Sequence, residues 1–276
     1  MVGFYAGFRG RIPAVEDVLF LGAGPPGSRY GELLVEPGPD LAAAEEAVRP
    51  DDAAVILYTT GTTGTPKGAV LTHAGLLGAA RAQVDHLGTE PTDVQVGVLP
   101  LNHVGGLTCT VLCALVARAS VVLHAAFSLE AALTDIAAHR ATIFGGVPTM
   151  WTLMLGHPSL AEHDLSSLRS AVIGGSNADP ALCAAIVAAC PDARLTNLYG
   201  LSESSGACVM SPLDDDLAAV SRSIGRPLGG VEVAVVDPDG QEVADGVEGE
   251  LHVRGPGIAA EGARRCSFRV ATAAAT

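Results

Sequence analysis

The sequence predicts an α/β fold: a mostly parallel sheet flanked by helices, with a small β subdomain after it. Three observations predict this. From Asp51 onward, short apolar runs alternate with longer runs of helical period. Two of the apolar runs end in glycine, Ile173-Gly174-Gly175 and Leu198-Tyr199-Gly200, where a strand must give way to a loop. After Gly225 the helical period stops, and apolar runs flank the turn signal Asp237-Pro238-Asp239-Gly240.

The chain divides on this pattern into a leading segment 1–50, a core 51–227, a β subdomain 228–260 and a tail 261–276. In the leading segment Val15 to Leu21 reads as a strand and Gly22 to Gly27 as a loop. Tyr30 to Leu34 and Leu41 to Val48 read as short helices. In the core, Ala53 to Leu57 reads as a buried strand and Ala69 to Leu71 as a second. Thr72 is a good N-cap for a helix to about Leu87, with Leu76, Leu77, Ala80, Val84 and Leu87 along one face. Then come a strand near Gln95 to Leu99, a helix from Leu107 to Arg118 and a strand from Ser120 to His124. A helix from Leu129 to His139 precedes a strand at Ala141 to Phe144. The strand at Ala171 to Ile173 leads to a helix opened by Asp179 as N-cap and Pro180 at its first position, running to about Cys190. Arg194 to Leu198 is the next strand. Val231 to Val236 and Gly249 to Val253 form a hairpin. The tail lacks acids after Glu261, carries three arginines and reads as disordered.

Composition narrows the function. The chain is 49% hydrophobic and 17% charged, which is globular. Its formal net charge of −14 argues against nucleic acid and anionic membrane surfaces as partners. No run is long and apolar enough to span a bilayer, and Met1 to Gly10 has no signal-peptide core. The six cysteines include no C-x-x-C pair, so they read as buried thiols in a reducing, cytoplasmic setting. Oligomeric state leaves no trace in the sequence.

The organising stretch is Tyr58-Thr59-Thr60-Gly61-Thr62-Thr63-Gly64-Thr65-Pro66-Lys67-Gly68. Glycines let backbone N–H groups converge, the threonines add hydroxyl donors, and Lys67 adds a mobile positive charge. That is the chemistry a polyphosphate needs. It is not a Walker A loop, because Pro66 stands in place of the second glycine and Gly68 in place of Ser or Thr. Read without a ligand, it is a polar hairpin loop. The stretch resembles the signature [YF]-T-S-G-T-T-G-x-P-K-G of the adenylate-forming (AMP-binding) superfamily, in which only Thr60 departs, keeping the hydroxyl.

Further segments carry the same resemblance, in family order over roughly Asp51 to Pro256. Asn197-Leu198-Tyr199-Gly200-Leu201-Ser202-Glu203 resembles N-x-Y-G-x-T-E, with Ser202 for threonine. The resemblance implies that Tyr199 stacks on adenine, Asn197 bonds its amine, Ser202 contacts phosphate and Glu203 holds magnesium. Without a ligand, Tyr199 is a half-buried core tyrosine and Glu203 a solvated loop charge or helix cap. Gly174-Gly175-Ser176 resembles the turn that borders adenine. Pro100-Leu101-Asn102-His103-Val104-Gly105-Gly106-Leu107 resembles the acyl-CoA synthetase form P-L-[FY]-H-x-x-G-L, which implies that His103 lines the carboxylate pocket. Gly145 to Met150 and Val247 to Pro256 resemble segments that support the fold more than the chemistry.

The resemblance implies the N-terminal domain of the adenylate-forming fold, in the acyl-CoA synthetase branch. The loop Thr59, Thr60, Gly61, Thr62, Thr63, Gly64, Thr65 and Lys67 would cradle ATP, together with Gly174, Gly175, Ser176, Asn197, Leu198, Tyr199, Gly200 and Ser202. Lys67, His103 and Glu203 would carry the catalysis. A fatty or aryl carboxylate would attack the α-phosphorus of ATP, pyrophosphate would leave, and the thiol of coenzyme A would displace AMP. In an open α/β sheet ligands gather at the carboxyl ends of strands, so four clusters are expected to meet at one sheet edge: the loop, the His103 segment, the Gly174 turn and the Tyr199 segment. The family's T-G-D segment and C-terminal lysine have no counterpart in this sequence. The sequence therefore also reads as truncated at both ends, with a non-catalytic remnant that binds ATP or AMP weakly or not at all as the alternative.

Overall fold

Ser170–Gly174 shows how the sheet is built. Side chains alternate across a strand, so Ala171 and Ile173 enter one apolar cluster while Val172 enters another on the opposite face. The structure, a computed structural model, describes residues 40–60, 66–259 and 266–270. The expected strand at Val15 to Leu21, its loop and the helix at Tyr30 to Leu34 lie outside the described residues.

The chain divides into two units, Met1–Val48 and Arg49–Thr276. The first shows helix α1, Asp40–Ala47. The second opens with an antiparallel pair, β1 (Ala53–Thr60) and β2 (Pro66–Thr72), which forms a two-stranded sheet of its own. This corrects two expectations. Ala53 to Leu57 is not a buried strand, because Leu57 is buried while Ile56 is 53% exposed. The pair is also no part of the parallel sheet, so the Lys67 loop joins a hairpin and does not leave a parallel strand.

The main sheet has seven strands in the order β4-β3-β5-β6-β7-β8-β9. They are β3 (Val94–Gly97), β4 (Ser120–Leu123), β5 (Ile143–Gly146), β6 (Ser170–Gly174), β7 (Arg194–Leu201), β8 (Gly206–Met210) and β9 (Arg226–Pro227). Pairing is parallel from β4 through β7 and antiparallel from β7 through β9. Helices cover both faces. On one side α4 (Leu129–Ala138), α5 (Pro148–Leu155) and α6 (Pro180–Ala189) bury Leu133, Ile136, Trp151, Met154 and Ile186 against Phe144, Ala171 and Ile173. Trp151 meets Phe144 edge to face at 5.0 Å, and its indole N–H donates to the Val172 carbonyl at 3.0 Å. A short helix α7 (Leu217–Arg222) follows β8.

On the other side lie α2 (His73–Leu87) and α3 (residues 104–117), joined by Ala80, Val84, Cys113 and Ala117. Thr72 caps α2 by accepting from the Gly75 N–H at 3.1 Å, and Gly88 ends it at φ 57°, a conformation glycine adopts without strain. Leu77 departs from the expected face, being 45% exposed. Helix α3 starts at Val104, three residues before the expected Leu107, because His103 caps it: His103 Nδ1 accepts from the Gly105 N–H at 3.0 Å. Its middle, Leu107–Leu112, is π-helical.

The last sheet is antiparallel: β10 (Glu232–Val236), β11 (Gly249–Arg254) and β12 (Cys266–Val270). The hairpin is as expected. The third strand corrects the reading of the tail, whose residues 266–270 pair with β11 backbone to backbone, where ladder hydrogen bonding needs no helpful side-chain composition. No helix among the described residues is long and apolar enough to cross a membrane.

Candidate functional site

Strand β3 lies between β4 and β5. The chain leaves the carboxyl end of β3 toward β4, and leaves that of β5 toward β6, on the opposite side. Such a switch point opens a crevice beyond the strand ends. A cavity of about 360 Å³ lies there, between the Val172 face of the sheet and helices α2 and α3. Leu99, Pro100 and His103 reach it from the end of β3, Gly145, Gly146 and Val147 from β5, Gly174 and Gly175 from β6, and Leu198 and Gly200 from β7.

Three of the four expected clusters therefore share one cavity wall. For the fourth, Gly61 to Thr65 lie outside the described residues, as does the side chain of Thr60. Thr59 is half-buried, and its hydroxyl sits 3.5 Å from the Lys67 carbonyl across the hairpin. Lys67 is exposed. The hairpin reaches the cavity wall indirectly: Leu57, Ala69 and Leu71 cluster with Val104, which also lines the cavity. Strand β2 packs beside the turn Ser202–Ser204 as well.

The residues of β7 part company. Leu198 and Gly200 face the cavity. Asn197, 7% exposed, is turned into the fold, where its Nδ2 donates to the carbonyls of Val220 at 3.2 Å and Ser223 at 3.0 Å. Both N–H donors are thus taken by the end of α7, which leaves Oδ1 as the acceptor that an adenine amine would need. Tyr199 is half-buried and packs with Cys208, Val209, Leu251 and Val253, away from the cavity lining. Ser202 and Glu203 are half-buried, and the Glu203 carbonyl accepts from the Ala259 N–H at 2.8 Å. Ser176 is exposed outside the cavity wall.

Because His103 Nδ1 accepts a backbone hydrogen bond, the neutral ring carries its proton on Nε2. The cavity wall thus offers an N–H donor at its mouth. Deeper in, burial raises the Cys109 thiol to about 11 and the Cys113 thiol well above its ordinary value, so both are neutral and apolar at physiological pH. Among the described residues no group of three or more His, Cys, Asp or Glu side chains is placed to hold a metal. Glu203 is a single half-buried carboxylate, and magnesium keeps to one or two carboxylates plus substrate phosphates.

Several wall residues escaped the sequence reading: Gln83, Gln95, Cys109, Thr110 and Cys113 from helices and strand middle, and Gly145 and Gly146, which had been assigned to the fold. One signal was present. Gln83 interrupts the apolar face of α2, and a polar residue on a buried face asks for a reason.

A family profile described as "AMP-binding enzyme" matches residues 14–261. A 4-coumarate–CoA ligase 2 of Oryza sativa subsp. japonica is 34% identical over 234 residues, 82% of this chain and 41% of the relative. An indoleacetate–CoA ligase of Aromatoleum aromaticum is 34% identical over 252 residues, 91% of this chain and 48% of the relative. Among solved structures, ATP-bound MatB from Rhodopseudomonas palustris superposes with TM-score 0.70 at 33% identity, over 77% of this chain and 41% of that one. The chain thus spans less than half the length of these relatives.

Proposed function

The chain belongs to the AMP-binding enzyme family, and from that premise we propose that it serves ATP-dependent activation of a carboxylic acid, through an acyl-adenylate, for transfer to coenzyme A. The observation that carries the reading is the convergence of His103, the Gly174-Gly175 turn and the Leu198–Gly200 strand end on one cavity at the switch point of the sheet. An apolar cavity with few polar groups at its mouth suits the hydrocarbon body of a fatty or aryl acid. The Nε2–H of His103 would orient the carboxylate at that mouth. The Gly61 to Thr65 loop with Lys67 would bind the phosphates, and the Ser202 hydroxyl would add a donor. Magnesium, held by Glu203 and phosphate oxygens, would neutralise charge on the leaving pyrophosphate. Tyr199 is proposed to border the adenine from the β10–β11 side. Five buried free thiols among the described residues support a reducing compartment such as the cytoplasm.

Calorimetry of the 276-residue chain with ATP and magnesium, followed by ATP–pyrophosphate exchange over a panel of fatty and aryl acids, tests this. Lys67→Ala and Glu203→Gln are each expected to weaken MgATP binding about tenfold, or ~1.4 kcal/mol. Binding without exchange would leave a nucleotide binder only. Absence of ATP and AMP binding would overturn the proposal.

A further inference from the structure

Three described residues other than glycine have a left-handed backbone: Arg118, Arg140 and Ser205. The two arginines are exposed and follow helices, where a left-handed residue commonly closes the last turn. Ser205 differs. It is 1% exposed, sits at φ 58° and joins the single turn Ser202–Ser204 to β8. A side chain crowds the backbone in that region, so a buried residue stays there only where its surroundings hold it.

Two bonds to one segment hold the turn. Ser205 Oγ donates to the Gly257 carbonyl at 2.6 Å, and the Ala259 N–H donates to the Glu203 carbonyl at 2.8 Å. Residues 257–259 thus lie flush against the turn, and a Cβ added to Gly257 would lie 2.7 Å from the Ser204 carbonyl oxygen. Helix α2 closes another side, where a Cβ on Gly75 would lie 3.3 Å from Ser205 Oγ. Within the turn, Ser204 Oγ accepts from the Leu201 N–H at 2.9 Å and donates to the Gly206 carbonyl at 2.7 Å. The Glu203 side chain makes none of these bonds. The direction of its carboxylate is therefore set by the backbone of the turn, and Ser205 pins that backbone from the next position.

We propose that Ser205 is a positioning residue: its hydroxyl, bonded to Gly257, holds the turn that aims the Glu203 carboxylate at magnesium on the bound triphosphate. This rests on the reading of Glu203 as the magnesium carboxylate. Glycine would adopt the left-handed conformation with less strain, but it would leave the buried Gly257 carbonyl without this donor. Serine gives up backbone ease for a fixed turn.

The test is calorimetry of the full chain with ATP, once in magnesium and once in EDTA, with the melting temperature read alongside. Magnesium is expected to tighten ATP binding in the unaltered protein. In Ser205→Gly and Ser205→Ala that gain should shrink about fivefold, less than the roughly 10–100-fold that a partner bonded directly to a metal ligand contributes. Affinity in EDTA should stay as it was. Glycine relieves the strained φ, so Ser205→Gly is expected to melt near the temperature of the unaltered chain. Because Ser205 acts through Glu203, adding Ser205→Gly to Glu203→Gln should weaken MgATP binding no further. Should Ser205→Ala not fold, the glycine variant and the double variant decide. An undiminished magnesium gain, an equal loss in EDTA, or a loss that adds to that of Glu203→Gln would overturn this inference and leave the Glu203 reading intact. A magnesium gain unchanged in Glu203→Gln itself would overturn both.

Discussion

Gly200 stands where β7 runs closest to β8, and a Cβ added there would lie 2.2 Å from the Gly206 carbonyl oxygen. No side chain fits without parting the strands, at the point where their register already shifts between Tyr199 and Gly200. Gly200→Ala is therefore expected to cost about 1–3 kcal/mol, as overpacking does, read as a lowered urea midpoint. An unchanged midpoint would mean that the strands part freely. At this scale the motif around Tyr199 was legible as a strand end, but its roles were not. Consecutive residues were read as one site, whereas a strand sends alternate residues to opposite faces. Leu198 and Gly200 accordingly reach the cavity, while Asn197 and Tyr199 turn away. What orients the Asn197 amide was not legible, because nothing in the local sequence marks the end of α7, 23 and 26 residues on, where its N–H donors go.

At the scale of elements, one ion pair ties four segments together. Arg169 Nε donates to Asp93 Oδ1 at 2.7 Å, and its Nη2 donates to Oδ2 and, at 2.9 Å, to the Gly88 carbonyl at the end of α2. Asp93 also accepts from the Glu90 N–H and the Thr142 hydroxyl, each at 2.7 Å. Burial pushes the Asp93 carboxyl up, but the bonds from Arg169, Glu90 and Thr142 outweigh it and hold it below the usual carboxylate range. A depressed carboxyl stabilises the fold fully above its unfolded pKa, near 4, and loses that contribution as pH falls through the folded value. Stability should thus fall below about pH 4 in the native chain. Removing one partner of a fully buried pair costs about 3–5 kcal/mol, and the 39% exposure of the Arg169 side chain lowers that to about 3 or less for Arg169→Ala. Thermal melts from pH 3 to 7 check both: loss in the variant should be greatest at pH 7 and shrink toward pH 3. A constant difference would assign Arg169 a packing role only. Most element spans were legible, since caps such as Thr72 and Asp179 and periodic apolar runs are local signals. The early start of α3 was not, because histidine is an uncommon N-cap, nor was its π segment, where the Cys109 carbonyl is bonded by glutamines on two other elements.

For the whole molecule, the class of fold was legible and the strand order was not. Alternation of strand and helix implies parallel pairing, but the placement of β4 outside β3, which creates the switch point and its cavity, depends on which side each crossover takes. The separate β1–β2 sheet was equally out of reach, because a hairpin has the same apolar runs whether or not it joins a larger sheet.

The buried cysteines give this architecture a built-in recorder of opening. Cys109, Cys113, Cys183, Cys190 and Cys208 are all shielded, and burial raises the pKa of each, Cys190 to about 11. Alkylating reagents consume thiolate, so the closed molecule should hardly react. In a Cys266→Ser background at pH 8, iodoacetamide is expected to modify these five slowly in buffer and completely in urea; fast native modification of all five would contradict it. Cys109 and Cys113 should be further protected by an occupant of the cavity they line, so mass spectrometry of alkylated peptides would report both unfolding and occupancy from one chain without an added label.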